Sequence, residues 1–492
     1  MNRTESGGRP EHRANGKPDM AAGAGCAAVT AGRGATDGAN DASPPAVPGD
    51  AKVATGAGSV TAGAIFRFFV PLGLSAGLVS LSHVIINGTL ARAPDPESTI
   101  AAYTIAMSIF TITERPAIYL RQTCSALAAD RTGFRSVAVV MAYVLLFTLG
   151  FGSLLSYTPA GPLVFGMLFN AEAELVGGTI ASYRILFLVT VFSAIRCLFH
   201  GIIIRNMQTK WLTIGMVIRL VAMYGLSLAW IHAGWTIDGR TGAVIFLTGM
   251  CVEAAVSAWE GRRILKLMPE RSGESQIRRA RDVIPFYRPL VVTSFISVML
   301  APSINAMLGK TADIELAIAS YSVALGVLNL VNSFFTYVHQ IVLNFHRLDA
   351  AAVRRFVLAA NTIPAALVAL LAWTPAGRAV FGAIVGAEGQ LLDASIGVLR
   401  VFLLFALVYP WVDYCNGLAM LHKQTRFMMG SQAGNLAATV TMLAVLTAVV
   451  PEWNGKVGAL AHSCGVAAEL TVLALLIRRW RRRRSSRAEA SV

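Results

Sequence analysis

Two carboxylates stand inside long apolar runs of this sequence, where chemistry needs a reason. Glu253 lies about 11 residues into the run 242–266, and Glu469 holds the matching place in the run 457–479. On a helix that depth is about 17 Å. An ionisable group there is expensive and suggests function by default. One use is reversible binding of a coupling proton or sodium ion. The other is a structural ion pair with an arginine of the same bundle. Arg184 and Arg400 lie similarly inside the runs 174–205 and 390–421. Their planar guanidinium forks suit a carboxylate or phosphate, or else brace the helices around them. Glu114 and Arg115 are adjacent, about 100° apart on a helix, so they face different neighbours. Arg219 and Asp413 complete the ionisable set, and Asn87 and Asn305 add two amides. These ten residues are the candidates for a substrate or ion pathway.

Other chemistry is thin. GLSAG at Gly73–Gly77 has the spacing of a nucleophile elbow but sits within an apolar helical run, without the strand–turn–helix that exposes a serine. GKT at Gly309–Thr311 lacks the first glycine of a phosphate loop, since position 304 is Ile. The six cysteines show no paired metal spacing. His83, His200, His339 and His462 are scattered singles, read as packing or hydrogen-bonding histidines. The expectation is no enzyme, no metal and no cofactor beyond a coupling ion.

The elements that must hold these residues are membrane helices. Of 492 residues 55% are hydrophobic and only 14% charged, against about 25% charged in ordinary soluble domains. Mean hydropathy is +0.59. Twelve apolar segments follow one another: 65–90, 98–126, 135–156, 174–205, 209–233, 242–266, 284–308, 314–345, 353–373, 390–421, 425–449 and 457–479. Each is long enough to cross about 30 Å of hydrocarbon as a helix. Residues 1–60 are poor in large apolar side chains and read as a disordered tail.

Loop charge sets the orientation. Arg121, Arg131 and Arg135 are counted after segment two. Arg205 and Lys210 follow segment four, and a run from Arg262 to Arg281 follows segment six. Arg347, Arg354 and Arg355 follow segment eight, Lys423 and Arg426 follow segment ten, and RRWRRRRSSR follows segment twelve. By the positive-inside rule both termini are cytoplasmic, in a plasma or inner membrane. The net charge of +15 is thus topological, with anionic lipid rather than nucleic acid as neighbour.

The chain also repeats itself. YTPAGPLVFG (Tyr157–Gly166) returns as WTPAGRAVFG (Trp373–Gly382), 216 positions on. The same offset pairs Arg184 with Arg400, Gln208–Thr209 with Gln424–Thr425, and Glu253 with Glu469. Before the loop after segment two the offset is 218, pairing Pro71 with Pro289, Asn87 with Asn305 and Gln122 with Gln340. Some charges have no charged mate: Glu114 and Arg115 face Asn332 and Ser333, Arg219 faces Asn435, and Asp413 faces Cys197. A single bound ligand breaks symmetry in this way. The expected organisation is an N-lobe at 61–268, a linker at 269–283, a C-lobe at 284–480 and a basic tail at 481–492. Parallel repeats place a substrate site between two bundles that rock about it.

Twelve helices in two sets of six, Pro71-Leu72 before Asn87 and Pro289-Leu290 before Asn305 resemble the multidrug/oligosaccharidyl-lipid/polysaccharide exporter superfamily, as does Leu399-Arg400-Val401-Phe402 at the start of segment ten. FRFFVPLG (Phe66–Gly73) and GALAHSCGVAAEL (Gly458–Leu470) are most similar to its progressive ankylosis branch. The resemblance spans about residues 62–484. It implies an all-α membrane protein, a V-shaped pair of six-helix bundles, and secondary export of a small organic solute by a monomer. An organic anion is favoured; multidrug efflux and lipid-linked saccharide flipping are the alternatives. Multidrug members often carry an ion-binding aspartate where Asn87 stands, and an asparagine does not titrate.

Overall fold

The computed structural model describes residues 60–169, 173–273, 277–382 and 389–489. The expected disordered tail, up to residue 59, lies outside them. Among the described residues the chain is helical, with no strand.

Six helices make the N-lobe: α1 (Ala62–Leu90), α2 (Pro96–Leu127), α3 (Arg131–Tyr157), α4 (Ala173–Arg205), α5 (Lys210–His232) and α6 (Gly239–Leu267). Six more make the C-lobe. They are α7 (Ala280–Leu308), α8 (Ile314–Phe345), α9 (Ala350–Trp373), α10 (Gly389–Val401 with Leu403–Leu421), α11 (Arg426–Val449) and α12 (Gly455–Glu489). Aspartates start five of them. Asp95, Asp130, Asp238, Asp313 and Asp349 each accept a hydrogen bond from a first-turn amide that has no helical partner.

Among the described residues eleven helices are long and apolar enough to cross a membrane. The twelfth, α2, has 32 residues but carries Glu114, Arg115 and Arg121 along its length. It packs closely against α4 and touches α3 and α7, so protein covers much of its surface. Two boundaries differ from expectation. The linker is shorter, because α7 begins at Ala280. The basic tail continues α12 as helix as far as Glu489. Three C-lobe helices are also interrupted. α7 breaks at Met299, α8 at residues 334–337 and α10 at Phe402, whereas α1, α2 and α4 are continuous over their described lengths.

The repeated TPAG is a turn built twice. Thr158 and Thr374 donate their hydroxyls to the carbonyls of Leu154 and Leu370, each at 2.6 Å. The chain then folds back so tightly that a Cβ on Gly161 would lie 2.1 Å from the Leu155 carbonyl oxygen. On Gly377 it would lie 1.8 Å from that of Leu371. Short helices follow, Ala160–Phe169 and Pro375–Val380.

Apolar packing divides into three cores. One takes Phe68, Leu127 and Ile202 from the N-lobe with Phe286, Phe345 and Leu421 from the C-lobe. It lies toward the end of the bundle that carries the basic loops. The other two lie toward the opposite end and each belongs to one lobe, around Ile86, Tyr103 and Ile245 or around Ile304, Tyr321 and Val457. The lobes are therefore welded at the basic end and separate at the other. The weld has two matching seams. Phe68 and Phe69 of α1 meet Phe345 and Phe334 of α8 at ring-centroid distances of 5.2 and 5.5 Å. Tyr287 of α7 donates to the Pro116 carbonyl of α2 at 2.7 Å.

Candidate functional site

Glu253 and Glu469 occupy matching positions on α6 and α12, yet their surroundings are opposite. Glu253 is 1% exposed and bonds the Arg219 guanidinium at 2.8 Å, with Arg219 itself 2% exposed. Arg196 of α4 stands at 3.3 Å and His200 at 3.9 Å. Arg196 also reaches the Ser193 hydroxyl at 3.4 Å, and that hydroxyl donates to Glu114. Four helices thus share one buried network in which Glu253 serves as counter-ion. Arg219 stands beside its partner and over the Phe246 ring at 5.2 Å. Arg219 lacks a charged mate in the repeat but has a partner in the fold, Glu253 across the α5–α6 contact. This is the ion pair with an arginine of the same bundle that the sequence offered as one use of this acid.

In the C-lobe the arginine mates are gone. Asn435 replaces Arg219, Val412 replaces Arg196 and Asn416 replaces His200. Asn435 donates its amide to Glu469 at 2.7 Å. Gln432, with its nitrogen toward the carboxylate, donates at 2.9 Å and accepts from Ser297 at 3.2 Å. Neutral amides hold this acid without neutralising it. Glu469 lines a cavity of about 370 Å³ with Asp413, His339, Arg121, Tyr409 and His462. Asp413 accepts from the His339 backbone amide at 2.9 Å and lies 3.0 Å from its Nδ1. Its partner is thus a histidine rather than an arginine. Arg121 donates to the Tyr337 hydroxyl at 2.6 Å.

The remaining candidates are dispersed. Arg184 and Arg400 donate Nε to the carbonyls of Ser156 and Ala372, at 2.9 and 3.1 Å. Each also covers an aromatic ring, Tyr157 or Trp373. That is the geometry of a brace on the end of α3 and α9, and it explains why an aromatic precedes each TPAG. Arg115 is half-buried and makes no ion pair among the described residues. Asn87 and Asn305 are exposed near the ends of α1 and α7 and do not line the cavity.

Sequence reasoning missed Arg196, Tyr409 and Gln432, and it counted Arg121 with the loop charges. The structure puts Arg121 inside α2, on the cavity wall. The signal existed: Arg196 has the apolar mate Val412, the same asymmetry that singled out Arg219. Among the described residues no group of three potential ligands is placed to hold a metal ion.

No family model and no curated protein matches the sequence. Solved structures do. One is an outward-facing multidrug resistance MATE family transporter of the MOP superfamily, with TM-score 0.67 and 16% identity, covering 87% of this chain and 97% of that one. A MATE bound to MaL6 gives TM-score 0.70 at 16% identity, covering 87% and 97%. A MOP superfamily transporter from Pyrococcus furiosus, described by the reverse polarity of its binding pocket, gives TM-score 0.66 at 17% identity, covering 85% and 95%. At such identities the likeness is one of architecture: the chain has the twelve-helix fold of the MATE transporters.

Proposed function

We propose that the protein is a secondary active exporter of a small organic solute, working by alternating access, with Glu469 binding the coupling proton or sodium ion. The observation that supports this best is the divided core. Lobes joined at the basic end and separate at the other form one end state of a rocking pair. The basic end faces the cytoplasm by its loop charge, so this state opens outward. Glu469 suits coupling because amides, not cations, surround it. A carboxylate held by neutral donors can exchange a cation, whereas Glu253 is already neutralised.

The solute is an organic anion in this reading, bound with the help of Arg115. A half-buried arginine without an acidic partner is costly at membrane depth, and a carboxylate or phosphate on the solute would offset that cost. Such a substrate fits the progressive ankylosis branch of the superfamily. A second reading has its own observation. Asp413 and Glu469 put two carboxylates on one cavity wall, which favours a cationic solute and multidrug efflux. The fold leaves the sign open, since one neighbour is described by reversed pocket polarity. Flux into proteoliposomes under an imposed proton or sodium gradient decides. Uptake of carboxylates or phosphate esters supports the first reading. Ethidium transport without any anion transport replaces it with the second, and no gradient-driven flux of any solute refutes export.

A further inference from the structure

On the outer face of one seam between the lobes lies an apolar groove of about 660 Å³. Its walls come from both lobes: Phe66 and Phe69 from α1, Leu330 and Phe334 from α8, and Phe356 and Ile363 from α9. The described lining has no polar side chain and shares no residue with the cavity beside Glu469. Phe69 ties the walls together, its ring 5.5 Å from that of Phe334 and 6.2 Å from that of Phe356. Phe66 and Ile363 stay 58% and 47% exposed. On membrane helices such apolar surface faces lipid, so the groove opens sideways into the bilayer.

Two alanines make the hollow. Ala359 and Ala360 of α9 line it. By the 216 offset their mates on α3 are Tyr143 and Val144, so the matching seam carries bulk where this one carries space. The groove runs along α9 from Phe356 to Leu367, about 17 Å by helix rise. It starts within two turns of the basic ends of α1 and α9, which begin at Ala62 and Ala350. Exposed arginines stand beside that end: Arg67 follows Phe66, and Arg354 and Arg355 precede Phe356. The acid at the same end, Asp349, caps α9 and accepts from the Ala352 amide at 2.8 Å.

We propose that this groove holds one acyl chain of an anionic phospholipid from the leaflet at the basic end, with the headgroup among Arg67, Arg354 and Arg355. A small-molecule site orients its ligand with a few placed polar groups, and this lining shows none. The chain before α1 is poor in large apolar side chains and has little to bury here. An acyl chain needs only shaped apolar walls, because packing rather than hydrophobicity selects partners within lipid. Arginines at the membrane surface attract anionic headgroups. Since the walls belong to both lobes, parting them at this end takes the groove apart. A ligand with affinity for one state shifts the equilibrium toward it, so the bound lipid favours the state closed at the basic end.

Native mass spectrometry gives the test, on full-length protein delipidated in detergent and titrated with phosphatidylglycerol or phosphatidylcholine. The wild type should hold one phosphatidylglycerol more tightly than phosphatidylcholine. Ala359→Phe, which fills the groove, should need at least about tenfold more phosphatidylglycerol. Ala366→Phe, also exposed on α9 but outside the groove, should bind as wild type. Arg67→Gln/Arg355→Gln changes exposed positions and should fold normally. It should weaken phosphatidylglycerol binding about tenfold and leave phosphatidylcholine binding unchanged. The proposal is refuted if the two alanine variants bind alike, if the wild type binds both lipids alike, or if the arginine variant keeps the wild-type preference. Should Ala359→Phe not fold, the last two comparisons still decide. Binding is read here without transport, so its failure would leave the export reading standing.

Discussion

Glu253 and Glu469 are one residue type at one repeat position, and neighbours alone separate their roles. Removing the Glu253 carboxylate would strand Arg219, which is 2% exposed. Orphaning one partner of a buried pair costs about 3–5 kcal/mol. Glu253→Gln should therefore lower the thermal stability of purified protein sharply. Adding Arg219→Asn, the residue found at the matching C-lobe position, should recover part of that loss, because of the two arginines on Glu253 only Arg196 then loses its carboxylate. Glu469→Gln should leave stability within about 1 kcal/mol of wild type, since amides can bond an amide, while abolishing gradient-driven flux. Equal stability losses in the two Glu→Gln variants would contradict this division. For Arg115, Gln should weaken anion flux more than Lys, which keeps the charge and loses only the fork. Indistinguishable flux in both variants would remove Arg115 from the solute site. The sequence shows which charges lack a charged mate. It does not show that Arg219 turns toward Glu253, or that Asp413 meets His339, because helix rotation and packing decide those contacts.

Most helices can be read from the sequence, since each needs only length and apolarity, and five begin at a capping aspartate. TPAG could be read as a repeat, and the structure shows the turn it makes and why it ends in glycine. At Gly161 and Gly377 the obstacle to a side chain is a backbone carbonyl, 2.1 and 1.8 Å from the would-be Cβ, and the main chain there cannot give way as a flexible side chain would. Gly161→Ala or Gly377→Ala should thus lower the yield of monodisperse protein strongly. Gly63→Ala and Gly77→Ala, with nothing within 4 Å of the added carbon, should be tolerated. Near-wild-type yield for both turn variants would show that the turn relaxes. The breaks in α7, α8 and α10 were not legible. Pro302 lies just beyond the α7 break, but residues 334–337 are Phe-Phe-Thr-Tyr, with neither glycine nor proline. Phe334 there packs against Gly73 of α1, where a Cβ would lie 2.7 Å from the Phe334 carbonyl oxygen. Contact between the lobes, rather than local propensity, accompanies that interruption.

At the scale of the molecule, two lobes from one duplicated unit share a core at one end only. Polar contacts cross near the cavity as well: Ser125 of α2 donates to Gln340 of α8 at 2.8 Å, and Arg121 to Tyr337. If export proceeds by rocking, these contacts must part in every cycle. Ser125→Cys with Gln340→Cys, in a background with the native cysteines replaced, tests that requirement. A short bifunctional thiol reagent should join the two positions while the basic end is closed. Gradient-driven flux should then stop and return when a cleavable linker is reduced, whereas each single-cysteine variant should keep its flux after the same treatment. The lock acts on motion rather than on folding, so the joined protein should melt at or above the temperature of the unjoined one. Flux that continues at the wild-type rate with the link shown complete by mass would mean that the lobes need not separate here. A route confined to one lobe, through the cavity beside Glu469, would then replace alternating access between two.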